Sequence, residues 1–110
     1  MQISWNDFEK VELCVGTIIE ALPFPEARKP AFKLTIDFGQ LGIKKSSAQI
    51  TDLYTLEELI GKQIIAVVNF PPKQIGPFVS ECLVTGFLNI NNVVVLAVPD
   101  KKTENGLMLM

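Results

Sequence analysis

Phe32, Leu34, Ile36 and Phe38 alternate with Lys33, Thr35 and Asp37, which predicts a strand with one face in a core and one in water. Ahead of it, residues 11–22 form a long run rich in β-branched side chains, interrupted once by Gly16. A glycine inside a strand pattern predicts a bulge or a sharp bend. A long strand bent in its middle can pair in two sheet halves, which is how a small barrel closes. After a turn at 39–42, residues 43–50 predict a third strand, unusually polar for its length. Residues 62–69 predict a fourth, apolar on both faces over 64–68 and hence interior. Residues 79–87 predict a fifth, and 93–98 a sixth after the turn at 89–92.

Two short helices punctuate these strands. Ser4 with Asp7 three residues on, and Thr55 with Glu58, have the spacing of helix N-terminal caps, and Gly61 stands at the stop of the second. Trp5 and Phe8 share one face of the first helix. A single turn cannot bury two aromatic rings by itself, so that face is expected to pack against something else. Residues 23–30 hold three prolines and form a first stiff loop. Residues 69–78 hold three more prolines and Gly76, and form a second that carries Asn69, Phe70, Lys73 and Phe78. The chain closes with an Asn105-Gly106 turn signal followed by Leu107-Met108-Leu109-Met110.

A bent first strand, five or more strands in all, and one helix between the third and fourth predict an all-β fold. The expected architecture is an oligonucleotide/oligosaccharide-binding (OB) barrel: five-stranded, Greek-key, with short helices and a C-terminal strand extension. An SH3-like barrel does not normally carry a helix at that point. The 110 residues suffice for one domain, 1–110, and no internal repeat divides them.

Composition narrows the function more than the fold. The chain is 48% hydrophobic and 20% charged, and no apolar run approaches the ~18 residues of a membrane span. The N-terminus lacks a basic start and an apolar segment, so a cytoplasmic protein without membrane insertion is expected. Cys14 and Cys82 each lie inside an apolar run and are expected to be reduced core residues. The absence of histidine removes the commonest general base and metal ligand. No nucleophile elbow, phosphate-binding glycine loop or paired carboxylate stands in for it. The expectation is a binding protein with no catalytic residue, cofactor or metal.

The net charge of −2 argues against a wholesale electrostatic nucleic-acid binder, although cations cluster at Arg28 and Lys29, Lys33, Lys44 and Lys45, and Lys73. Two ligand classes remain open. OB barrels bind through their second and third strands and the neighbouring loops, which favours RNA along the lysine-bearing strands. The proline-rich loop with Phe70, Ile75 and Phe78 favours an extended polypeptide, held passively because no ATP site is present. The same rings also suit a barrel cover or a subunit interface.

Four blocks add a resemblance: Asp7-Phe8-Glu9-Lys10, Phe24-Pro25-Glu26-Ala27-Arg28, Lys45-Ser46-Ser47-Ala48-Gln49-Ile50 and Ala66-Val67-Val68-Asn69-Phe70-Pro71-Pro72-Lys73. Over essentially the whole chain they resemble the export-related chaperone (CsaA) branch of the tRNA-binding-domain family. The resemblance implies an OB fold and a homodimer. It implies unfolded or export-bound preproteins and peptides as ligands, with structured tRNA as the alternative. The family's RNA-binding signature runs Asn-Leu, a basic residue, then Ser-x-Gly-Met. Asn69, Lys73 and Ser80 match it, whereas Phe70 replaces the leucine and Cys82-Leu83 replaces Gly-Met. The expected RNA-binding residues are Lys33, Lys44, Lys45, Ser47, Asn69, Lys73 and Ser80. The expected peptide-binding residues are Phe70, Pro71, Pro72, Ile75 and Phe78. The expected dimer contacts are Trp5, Phe8, Leu107 and Leu109.

Overall fold

A computed structural model describes the whole chain, Met1–Met110. Helix α1 (Trp5–Glu9) opens it, and β1 (Leu13–Pro23), β2 (Phe32–Asp37), a 3₁₀ turn (Gly39–Leu41) and β3 (Ile43–Ala48) follow. Then come α2 (Leu56–Leu59), β4 (Gln63–Val67) and the hairpin strands β5 (Lys73–Ile75) and β6 (Phe78–Ser80). β7 (Leu83–Val84), β8 (Gly86–Leu88) and β9 (Val94–Leu96) complete the order. Strands β3-β2-β1-β4-β7 form one antiparallel sheet, curled into a nearly closed OB barrel.

The alternation in β2 carries the core. Leu34, Ile36 and the adjacent Phe38 are fully buried, and around them pack Ile18, Ile64, Ala66, Leu59 and Cys14. β1 closes the curl as expected of a bent strand. Its first half pairs β4 from Leu13↔Val67 to Thr17↔Gln63, and its second half pairs β2 from Thr17↔Asp37 to Pro23↔Phe32. The irregularity falls between Ile18 and Glu20, however, and not at Gly16. Gly16 serves packing instead: a Cβ there would lie 2.6 Å from both Ile36 Cγ2 and Phe38 Cε1.

Both expected helix caps form. Ser4 Oγ accepts the Asp7 N–H while the Asp7 carboxylate accepts the Ser4 N–H, and Thr55 and Glu58 do the same for α2. α2 buries Leu59; α1 fully buries nothing, leaving Trp5 exposed and Phe8 half-buried.

The expected strands at 43–50, 62–69 and 93–98 come out shorter, and the one at 79–87 comes out broken. The run 79–87 is divided among β6, β7 and β8, because Glu81 and Cys82 turn aside to cap the open edge of β3. Glu81 donates its N–H to Lys45 C=O at 2.7 Å, and its carboxylate accepts the Lys45 N–H at 3.0 Å. The second proline loop likewise contains the β5–β6 hairpin, with Ile75 opposite Phe78 across Gly76-Pro77. Gly76 takes φ +56°, the positive value that so tight a hairpin demands at its first loop position. The tail returns along β1 as an added edge: Val15 N–H donates to Leu107 C=O at 3.0 Å and Leu109 N–H to Leu13 C=O at 2.7 Å. No helix is long and apolar enough to cross a membrane.

Candidate functional site

The two proline loops stand side by side at one end of the barrel. Phe24, buried at the start of the first loop, packs its ring 5.4 Å from Phe78 at the end of the second. Lys33 lays its ammonium 5.5 Å above the same Phe24 ring. This stack joins the loops and holds open a cleft of about 690 Å³ between them. Arg28 and Lys29 line one wall, Lys73 and Gln74 the other, and Ser47 and Gln49 the floor. Glu26 is the only carboxylate on it. None of the cleft cations is neutralised by an ion pair, since the one salt bridge in the chain joins Lys10 to Asp7. Exposed, unpaired cations around a polar floor are suited to phosphate oxygens.

A smaller pocket of about 270 Å³ lies on the other side of the same hairpin. Phe70, Pro71 and Leu83 form its apolar rim, with Lys73, Ser80 and Cys82 inside. Phe70 is 54% exposed and has no core role, which places its ring at the surface of a loop stiffened by Pro71 and Pro72. The volume suits one side chain or one planar ring, being below the range of whole small-molecule sites. Cys82 sits on the floor, its Sγ 3.7 Å from Lys45 C=O. Burial pushes its thiol up to about 11, against the opposing pull of the nearby Lys44 charge. A neutral thiol of this kind is inert packing rather than a nucleophile.

The structure sorts the expected RNA-binding residues. Lys73 and Ser47 line the cleft, and Ser80 lines the small pocket while its hydroxyl accepts the Ser47 N–H. Lys45 is exposed on the outer face of β3, in register with Thr35. Lys44 is not beside it: it pairs with Ile36 and so lies on the inward face, near Cys82. Strand alternation separates adjacent lysines in this way. Lys33 is committed to Phe24. Asn69 is committed too. Its Nδ2 donates to Lys10 C=O at 2.7 Å and its Oδ1 accepts the Glu12 N–H at 3.0 Å, so the amide straps the end of α1 to the end of β4.

Among the expected peptide-binding residues, Phe70 and Pro71 border the small pocket, and Pro72 is exposed beside them. Ile75 lines the cleft, while Phe78 supports it through Phe24. They do not form one continuous apolar groove. Trp5 and Phe8 lie 5.3 Å apart on α1, and Leu107 and Leu109 border a third, apolar groove of about 390 Å³ beside the tail. Arg28, Lys29 and Gln74 also line the cleft, although the expected site does not include them. The available signal was that the first proline loop, like the second, flanks a ligand-binding OB strand. No group of three or more cysteine and carboxylate side chains is gathered to hold a metal.

The whole chain superposes on the crystal structure of chaperone CsaA from Bacillus anthracis with TM-score 0.94, at 48% identity and complete coverage of both chains. CsaA from Picrophilus torridus matches with TM-score 0.93 and 52% identity, covering 99% of this chain and 100% of that one. The methionine–tRNA ligase of Leptospira biflexa is 37% identical over 107 residues, which are 97% of this chain but 15% of that enzyme. The chain thus spans a small part of the ligases it resembles. The model of the tRNA binding domain family matches residues 13–107, from the first residue of β1 into the returning tail. That match takes in the whole barrel and both proline loops of this chain, which therefore belongs to the tRNA-binding-domain family.

Proposed function

We propose that the protein is a non-enzymatic, ATP-independent holding protein for unfolded or export-bound polypeptides, working as a cytoplasmic homodimer. The observation that carries this reading is Phe70, a large ring left 54% exposed on a proline-stiffened loop, at the mouth of a pocket sized for one side chain. A rigid apolar anchor binds an extended segment with little loss of loop entropy. The likeness to two chaperone CsaA structures over essentially the full chain supports the same choice. Two buried free cysteines fit a reducing compartment.

The test is Phe70→Ala. Because the ring is not core, stability should shift by no more than about 0.5 kcal/mol, while client binding should weaken by about 1–3 kcal/mol. Client protection from aggregation and melting temperature are measured on one sample. Intact protection with intact stability would overturn the reading.

The cleft favours a second reading, in which the protein binds structured tRNA. Arg28, Lys29 and Lys73 form an unpaired basic rim over Ser47 and Gln49, and the family supports an RNA ligand. Replacing both Arg28 and Lys29 with alanine should weaken tRNA binding and lower its salt slope by about 1 for each phosphate no longer neutralised. An unchanged slope would move the RNA elsewhere.

A further inference from the structure

We propose that polypeptide and RNA are alternative occupants of one composite site, so that RNA displaces a bound client, with Lys73 as the residue both must use. The proposal rests on the two readings above and concerns how they regulate one another. Lys73 borders both cavities: it lines the basic cleft with Arg28 and Lys29, and the small pocket with Phe70 and Ser80. The partition between them is only the β5–β6 hairpin, three residues a strand, with Lys73 paired to Ser80 and Gln74 to Val79. Neighbouring strands are about 4.8 Å apart, so the two cavities lie well within reach of one ligand's charge. Phosphates in the cleft act on anything in the pocket over the ~8–10 Å that salt leaves unscreened.

Three features turn this closeness into exclusion. First, the Lys73 ammonium has no partner in the protein, so either ligand is free to claim it, and neither can claim it fully while the other does. Second, Lys44 adds a second positive charge near Cys82, so the pocket itself attracts acidic segments of a client. Those are the segments that a phosphate chain one hairpin away repels most. Third, the molecule measures only 28 Å along its shortest axis and the hairpin is itself a wall of the cleft, so a structured RNA seated there lies against the hairpin that carries the pocket. Phe24 beneath Phe78 fixes the hairpin from the cleft side, which leaves it unable to swing away and admit both.

The experiment uses the full chain, a fluorescently labelled, reduced and carboxymethylated polypeptide as client, and bulk tRNA as competitor. Each ligand is first titrated alone, and then tRNA is added to the client complex. The expected result is complete release of client, with a midpoint that tracks the affinity of tRNA alone and shifts with salt by the same slope. Replacing Arg28 and Lys29 with alanine is expected to weaken the competition by the factor by which it weakens tRNA binding. Client that stays bound at one per protomer under saturating tRNA would overturn the composite site. If only one ligand binds by itself, the composite site falls while that ligand's reading stands, and if neither binds all three fall.

Discussion

Asn69 was visible in the sequence as a signature residue, but its role was not. Side-chain partners 57 and 59 positions away are set by tertiary structure alone, and they engage the amide of this candidate RNA contact in a strap. Asn69→Ala removes two hydrogen bonds that join Lys10 and Glu12 to the end of β4, a loss of about 1–2 kcal/mol. The expected outcome is faster amide exchange at Glu12 and an unchanged salt slope for tRNA. A lower slope with normal exchange would return Asn69 to the RNA surface. Cys82 was legible as a buried thiol, and burial gives it a pH signature. Its folded value of about 11 lies above the unfolded value of 9.0, so the neutral thiol's contribution to stability is complete below about pH 9 and is lost as the pH climbs toward 11. The decline is at most about 1.4 kcal/mol per pH unit. Urea midpoints across that interval should fall in the wild type and flatten in Cys82→Ala. A residual slope is expected from Cys14, which burial also raises. A Cys82→Ala protein that declines as steeply as wild type would remove this account of the thiol.

Elements whose signals are local are legible in the sequence. Both capping boxes formed at the expected residues, because a hydroxyl and a carboxylate three positions apart need only one turn of backbone to meet. The alternation of β2 and the turn at Asn89 were likewise written locally, and Asn92 there takes the left-handed φ of 60°. Elements defined by a distant partner are not legible there. The break in the run 79–87 depends on Glu81 finding the β3 edge 36 residues earlier, and no periodicity records that. The sequence points to a bend at Gly16 although the register slips at Ile18/Glu20, since a glycine pattern does not distinguish a bulge from a close approach. The two explanations make different predictions. A bend would tolerate alanine at modest cost, whereas a methyl 2.6 Å from Phe38 forces the most buried ring of the core aside. Gly16→Ala is therefore expected to destabilise by about 1–3 kcal/mol, a fall in melting temperature of several degrees. A melting temperature within about a degree of wild type would leave the packing account of Gly16 without support.

The molecule as a whole exposes more apolar surface at its termini than its core requires. α1 buries no residue, yet Trp5, 66% exposed, and Phe8 stack on one another there. The returning tail lays Leu107 and Leu109 beside a groove walled by Leu13, Val15, Ile65 and Val98. Its backbone is only half paired: Leu107 C=O and Leu109 N–H bond β1, while the N–H and C=O of Met108 have no backbone partner. An open strand edge flanked by apolar side chains is the surface that natural proteins cover or charge, and here it is neither charged nor covered. A second copy supplies the same edge and the same helix, which is how a two-fold interface becomes self-complementary. The protein is therefore expected to sediment at micromolar concentration as a dimer of its 12.2 kDa chain. Deleting residues 107–110 and, separately, Trp5→Ala should each shift the equilibrium toward monomer. Because Trp5 and Met110 contribute nothing to the monomer core, the Trp5 variant should unfold at the same denaturant concentration as a monomeric reference, not earlier. A wild-type chain that remains at 12.2 kDa throughout the micromolar range would sink the dimer.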